Sequence, residues 1–196
     1  MTDIWATPIS DTSASLLFMV DLHARHRRSI RLPGYDYAQA GWYFVTICTR
    51  ERKCLFGDVE GGTMRLNPDG QIVKELWEDL PNHFQYLTLE QFTLMPNHLH
   101  GILIIAEHRR GTACRAPTRS EAFGKPVPGS LPTIIRSFKS AAPKSINHIR
   151  SSPSAPVWQR NYYEHVIRNE KTLNQIRQYI IDNPAKWGED PENPDI

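Results

Sequence analysis

The sequence has few cysteines and no long apolar run. Its three cysteines, Cys48, Cys54 and Cys114, are odd in number and form no CxxC pair, which argues against a disulfide framework and a cysteine zinc site. No segment approaches the roughly 18 consecutive apolar residues of a membrane helix, and the N-terminus lacks the basic start and cleavage site of a signal peptide. We therefore expect a cytoplasmic protein with reduced thiols and no membrane association.

Several catalytic motifs are also missing. The chain contains neither the GxxxxGK[ST] loop that cradles nucleotide phosphates nor the HExxH pair of zincin proteases. At 196 residues with 40% hydrophobic content, it is long enough for one domain with a core but too short for an eight-fold α/β barrel. These absences exclude a phosphate-loop ATPase, a zincin and a barrel amidohydrolase.

Positive charge is concentrated in one part of the chain. The formal net charge is only +2, yet residues 107–181 hold 13 Lys and Arg against 4 Asp and Glu. Aromatic residues are interleaved with this charge at Trp158, Tyr162, Tyr163 and Tyr179. Basic side chains release counterions from nucleic acid and aromatic rings stack on unpaired bases, so the segment favours a phosphate-rich partner. A solvated basic face, balanced by acidic segments elsewhere, is the alternative.

Periodicity predicts an α+β domain. Short runs rich in β-branched and aromatic residues alternate with segments that have helical spacing, in the order strand, helix, strand, strand, helix, strand, followed by one more helix. This is the βαββαβ order of a ferredoxin-like (RRM-like) antiparallel sheet. The main predicted strands cover 42–49, 86–95 and 98–106, and the predicted helices begin at Asp69, at Ser130 and near Asn169, with an end or a kink at Pro143.

Two histidines stand one residue apart in "MPNHLHGILII". In a strand, side chains at i and i+2 leave the same face, so the imidazoles of His98 and His100 can converge on one ion. A cupin-type site would need an acid soon after the second histidine, whereas the next acid is Glu107. The spacing alone leaves two interpretations open, a pair of metal ligands or polar residues at the start of a strand.

The stretches "MPNHLHG", "VWQRNYYEHVIRNEK" and "YIIDNPAKW", in this order and spacing, resemble the REP-associated branch of the single-tyrosine HUH transposases. "RRSIRLPGYDY", "GWYFVTICT" and "IIRSFKS" are similar to the same family. The resemblance covers about residues 25–188. It implies a transposase domain over that range. Outside the resemblance lie a poorly defined extension at 1–24 and an acidic tail at 189–196, and the Gly and Pro residues without period at 107–129 predict an exposed basic loop.

The resemblance implies a role for four residues. Tyr179 would be the nucleophile, on the added C-terminal helix, and His98, His100 and Asn183 would hold a divalent metal. Tyr179 and Asn183 are four residues apart and therefore lie one above the other on a helix. Related transposases often carry Gln where this chain has Asn183. Imidazoles by themselves favour zinc or manganese, but the resemblance implies Mg²⁺ or Mn²⁺.

The function implied is cleavage and rejoining of hairpin-forming single-stranded DNA, such as REP elements, through a 5′-phosphotyrosine intermediate, by a monomer or a homodimer. Charge density alone suggests that Arg25, Arg27, Arg28 and Arg31 grip the DNA backbone. Two alternatives stay open at this point. One is a domesticated module that binds hairpins without cutting them, and the other is a zinc hydrolase of a small phosphoester.

Overall fold

The computed structural model describes residues 32, 34–107, 127–152 and 154–194. The predicted N-terminal extension, the arginines at 25, 27, 28 and 31, and most of the predicted basic loop lie outside the described residues. Within the described ranges, no helix has the length and apolar character needed to cross a bilayer. The strands are β1 (Gly41–Cys48), β2 (Gly57–Glu60), β3 (Thr63–Leu66), β4 (Leu87–Leu94), β5 (His98–Ile105) and β6 (Tyr163–Ile167).

Four helices accompany these strands in the described part of the chain. They are α1 (Pro68–Glu78), α2 (Leu80–His83), α3 (Leu131–Ile149) and α4 (Glu170–Asp182), and short 3₁₀ turns lie at Arg50–Arg52 and Trp187–Glu189. The main sheet has the strand order β4-β5-β1-β6, with every neighbouring pair antiparallel. The predicted α+β class with an antiparallel sheet is thus confirmed. The inserted β2–β3 hairpin and helix α2 add to the predicted order, and the ferredoxin-like assignment stays a prediction.

The two faces of the sheet are covered by different helices. On one face, the alternate residues of β1 and β5, such as Val45 and Leu99, join the main core with Val73 of α1 and Phe138 of α3. On the other face, Phe44 and Ile102 pack beneath Leu173, Ile176 and Ile180 of α4. The apolar stripe of the last helix is therefore buried, and α4 is held against the face opposite the main core.

The predicted start of the first helix is wrong, and the second helix does not end at Pro143. Helix α1 begins after Asn67, whose side chain accepts a hydrogen bond from Gly70 N at 2.9 Å, so Asp69 is not the cap. The buried Asp69 instead forms an ion pair with Arg150 at the end of α3. Helix α3 also continues through Pro143. Ala142 and the rest of its buried face pack in the core on both sides of the proline, and this packing outweighs the lost backbone hydrogen bond.

A short turn joins β2 and β3 at two consecutive glycines. Gly61 and Gly62 have φ angles of +55° and +76°, a region that glycine adopts without strain because it has no Cβ. The hairpin pairs Gly57 with Leu66 and Glu60 with Thr63. These two strands form a separate two-stranded sheet outside the main sheet.

Candidate active site

The two histidines open β5 on the face of the sheet that α4 covers. His98 lies opposite Cys48 of β1, and His100 lies opposite Thr46. Both imidazoles are buried, and their ring centroids are 4.4 Å apart. The two-residue period of the strand thus brings the side chains together, as the sequence predicts.

A neighbouring polar side chain orients each imidazole. Nδ1 of His98 donates to Oδ1 of Asn97 at 2.8 Å, because the amide nitrogen of Asn97 is already occupied as a donor to the carbonyls of Arg52 and Glu192. This proton on Nδ1 leaves the lone pair of His98 on Nε2. Nδ1 of His100 lies 2.8 Å from Oγ1 of Thr46. Polar partners on the outer nitrogen are the usual way to aim the inner one at a metal ion.

Helix α4 carries Tyr179 to this pair. Its hydroxyl lies 3.1 Å from Nε2 of His100, and the ring centroids are 5.0 Å apart. The phenol ring also packs edge-on against Phe44, at 6.3 Å between centroids. Burial raises the pKa of Tyr179 above its usual value, and the negative charges of Asp190 and Glu192 raise it further. The described protein environment therefore favours the neutral phenol.

Asn183 caps the C-terminus of α4 and is buried. Its Nδ2 donates to Oδ2 of Asp190 at 2.8 Å. The same Oδ2 lies 3.9 Å from Nε2 of His98. One ligand atom from each of His98, His100 and Asp190 lies within 4.8 Å of the others, and all three residues are buried. Paired imidazoles with a carboxylate are a donor set that suits a divalent cation.

Residues 187–194, the C-terminal segment, pack against this site. The guanidinium of Arg52 forms an ion pair with the carboxylate of Glu192, with 2.9 Å between nitrogen and oxygen. Arg52 also donates a hydrogen bond to the carbonyl of Pro191 at 2.8 Å. Asn97 donates to the carbonyl of Glu192 at 2.6 Å, and the ring of Trp187 lies 6.0 Å from that of His98. Part of the predicted acidic tail is thus fixed beside the histidines.

Asp190 is the site residue that sequence reasoning missed, because nothing in the local pattern separated it from the other acidic residues after Asn183.

The three tyrosines of the basic segment lie in different surroundings. Tyr162 lies on the side of the main core, where Nζ of Lys139 is 6.0 Å from its ring. Tyr163 lies opposite Thr46 in β6 and packs edge-on against Phe44. Tyr179 has its hydroxyl within hydrogen-bond distance of a histidine of the pair. The four arginines proposed for DNA contact fall outside the described residues.

Comparisons with known proteins add two relatives and one structure. No family model matches the chain. An uncharacterised protein of Haemophilus influenzae is 44% identical over 168 residues, which are 84% of this chain and 92% of that protein. A second protein of that organism, named "Putative REP-associated tyrosine transposase", is 28% identical over 154 residues, 78% of this chain and 75% of its own length.

The structural comparison gives a solved REP-associated tyrosine transposase bound to a REP hairpin. It matches with a TM-score of 0.52 and 21% sequence identity, over 84% of this chain and 74% of the other. At this level of identity the likeness concerns the fold, and it extends over most of both chains.

Proposed function

We propose that this chain, which belongs to the family of REP-associated tyrosine transposases, cleaves and rejoins hairpin-forming single-stranded DNA through a 5′-phosphotyrosine intermediate. The observation that carries the proposal is the position of the Tyr179 hydroxyl, 3.1 Å from Nε2 of His100 in a buried pair of histidines. A tyrosine nucleophile needs a phosphate-activating group beside it. The histidine pair supplies ligands for such a group.

The proposed metal ion is Mg²⁺ or Mn²⁺, held by His98 and His100, with Asn183 as the third ligand that the family resemblance implies. The residues fit this role in two respects. Nε2 of His98 carries a lone pair that faces the site, since Nδ1 donates to Asn97. Oδ1 of Asn183 is buried and has no hydrogen-bond partner among the described residues. The bound cation would polarise a non-bridging oxygen of the scissile phosphate.

In the cleavage step, Oη of Tyr179 bonds to phosphorus while the bond from phosphorus to the 3′ oxygen breaks. The departing 3′ oxygen takes up a proton, and the phenol loses one. His100 cannot use Nε2 both as a metal ligand and as the acceptor of the phenolic proton. We therefore propose that Tyr179 gives up its hydrogen bond to His100 when the site is loaded. Rejoining reverses the step, with a DNA 3′-hydroxyl attacking the phosphotyrosine.

The proposed substrate is a DNA hairpin with an adjoining single strand. The structural neighbour is bound to a REP hairpin, and the basic segment at 107–181, with its interleaved aromatic residues, supports a nucleic-acid partner for this chain. Arg25, Arg27, Arg28 and Arg31 are proposed to hold the DNA backbone, because they form a dense basic cluster in the sequence.

The test is a covalent-adduct experiment. Purified protein is incubated with end-labelled hairpin single strands, with Mg²⁺ or Mn²⁺ or with a chelator, and is then denatured and separated by size. The proposal requires a labelled protein–DNA adduct that survives denaturation and depends on the metal. If the protein binds the hairpin in a mobility shift but forms no adduct under any metal condition, it is a non-cleaving hairpin-binding module. Zinc-dependent hydrolysis of a small phosphoester without an adduct would favour the hydrolase alternative.

A further inference from the structure

We infer that Asp190 is a direct ligand of the proposed metal ion and that Asn183 acts mainly by holding the Asp190 carboxylate in place. The inference rests on the proposed function, because it takes the ion to be held at His98 and His100. It changes the third protein ligand implied by the family resemblance. It also makes the C-terminal segment part of the active site.

The first argument is the distance between donor atoms. Oδ2 of Asp190 lies 3.9 Å from Nε2 of His98, and the three ligand atoms of His98, His100 and Asp190 fall within 4.8 Å of one another. Octahedral ligands at about 2.1 Å from an ion are roughly 3 Å apart when adjacent and roughly 4 Å apart when opposite. Small side-chain movements therefore suffice to bring all three atoms onto one ion.

The second argument is the burial of the carboxylate. The side chain of Asp190 is only 2% exposed, and a buried carboxylate is costly unless a positive charge or enough hydrogen bonds compensate it. It accepts hydrogen bonds from Asn183 Nδ2 and from the backbone of Glu192. The nearby guanidinium of Arg52 pairs with Glu192 instead. Among the described residues, the ionisable group within ion-pair distance of Asp190 is His98, so a cation at the site would supply the missing charge.

The third argument concerns the amide of Asn183. A carboxylate only accepts hydrogen bonds, so the amide nitrogen of Asn183 must be the group that faces Asp190. This fixes the orientation of the amide. The bond clamps Oδ2 of Asp190 on the side of His98. Asn183 thus fits the role of a positioning residue, even though its Oδ1 is also available as a metal ligand.

The ligand chemistry agrees with this assignment. Two imidazoles favour zinc, whereas carboxylate oxygen is the donor that Mg²⁺ and Mn²⁺ prefer. A site with a direct carboxylate therefore explains how a histidine pair can serve a hard ion that activates a phosphate. With an amide as the third ligand, all protein ligands would be neutral. The affinity of the site for a hard divalent ion would then be lower.

The test measures Mn²⁺ binding to the full chain without DNA, by titration calorimetry. Asp190→Asn removes the charge and preserves the shape, and Glu189→Gln removes an equal charge from the neighbouring exposed residue. We expect Asp190→Asn to weaken Mn²⁺ binding about tenfold or more and Glu189→Gln to bind as wild type does. Binding of Co²⁺ gives a second readout, because loss of an oxygen ligand changes its visible absorption spectrum.

Asn183→Ala tests the positioning role. If Asn183 acts through Asp190, Asn183→Ala weakens Mn²⁺ binding less than Asp190→Asn does, and the double variant binds no more weakly than Asp190→Asn alone. If the losses of Mn²⁺ binding free energy in Asn183→Ala and Asp190→Asn add fully in the double variant, the positioning role is overturned. Should Asp190→Asn fail to fold, Asp190→Ser takes its place, because the serine hydroxyl can still accept from the backbone of Glu192.

His98→Ala separates this inference from the proposed function. If His98→Ala abolishes Mn²⁺ binding while Asp190→Asn binds like Glu189→Gln, Asp190 is not a ligand and the inference is overturned, but the metal site stands. If His98→Ala binds Mn²⁺ like wild type, the metal site of the proposed function is itself wrong. Loss of binding in both His98→Ala and Asp190→Asn, with Glu189→Gln unaffected, supports the inference.

Discussion

The hydroxyl of Tyr179 lies 3.1 Å from Nε2 of His100, although 79 positions separate the two residues in the chain. The strand places His100 on the face that α4 covers, and the buried stripe of α4 fixes the helix on that face. Tyr179 lies beside this stripe, partly buried against the same cluster, and so reaches the histidines. The packing of one helix therefore determines whether the proposed nucleophile and the proposed metal ligands meet.

Tyr179→Phe removes the hydroxyl and keeps the ring that packs against Phe44. We expect no covalent adduct with hairpin DNA, because phenylalanine has no nucleophilic oxygen. Hairpin affinity should stay within about fivefold of wild type, since one hydrogen bond contributes about 1 kcal/mol. Denaturing gels and mobility shifts measure the two quantities. Tyr162→Phe is the matched control, since Tyr162 lies on the other side of the sheet. An adduct that persists in Tyr179→Phe would move the nucleophile to Tyr162 or Tyr163.

Thr46→Val removes the hydroxyl that lies 2.8 Å from Nδ1 of His100 and preserves the shape of the side chain. We expect Mn²⁺ affinity to fall about 10- to 100-fold, because partners of this kind orient a metal-binding imidazole. Titration calorimetry of the DNA-free protein measures the change.

Thr93→Val is the control for this change. Thr93 is the partner of His100 in the other neighbouring strand, and in the described part of the chain its hydroxyl makes no hydrogen bond to the histidine pair. Equal losses of Mn²⁺ affinity in Thr46→Val and Thr93→Val would show that sheet stability, rather than orientation of His100, sets the affinity.

The regular elements explain which parts of this site the sequence could predict. His98 and His100 share a face because a strand repeats every two residues, and Tyr179 and Asn183 are stacked because a helix repeats every 3.6. Asp190 could not be found in this way. It follows Pro184 and a 3₁₀ turn, where the chain has no period, and it reaches the site through long-range bonds such as that between Asn97 and Glu192.

The same limits apply to the errors in the fold. Asp69 has a residue type typical of a helix cap, but its pairing with Arg150 depends on where α3 ends, which no local pattern states. The helix continues through Pro143 because tertiary contacts of its buried face outweigh a local preference. Long-range packing therefore accounts for the wrong start of α1 and for the continuation of α3 past Pro143.

Replacing Arg25, Arg27, Arg28 and Arg31 together with Ala should weaken hairpin binding and reduce its salt dependence. Each phosphate contact that is lost reduces the magnitude of the slope of log K against log salt by about 0.7 to 0.9. Loss of all four contacts would therefore reduce this magnitude by roughly 3. Fluorescence anisotropy at several salt concentrations measures the slope. Arg65→Ala, a change in an exposed residue of β3, is the control. An unchanged slope in the quadruple variant would refute the role of these arginines.

Gly101→Ala tests the contact beneath the histidine pair. Gly101 follows His100 in β5, and a Cβ at this position would lie 2.5 Å from Cζ2 of the buried Trp77. We expect the free energy of unfolding to fall by about 1–3 kcal/mol, as for other overpacked cores, with Mn²⁺ affinity falling as His100 shifts. Urea denaturation measures the stability. Gly188→Ala, whose Cβ would meet no atom within 4 Å, should leave the free energy of unfolding unchanged.

Adding Trp77→Phe to Gly101→Ala should make the combined loss of stability smaller than the sum of the single losses, because the smaller ring makes room for the methyl group. Additive losses would mean that the strain at Gly101 arises elsewhere.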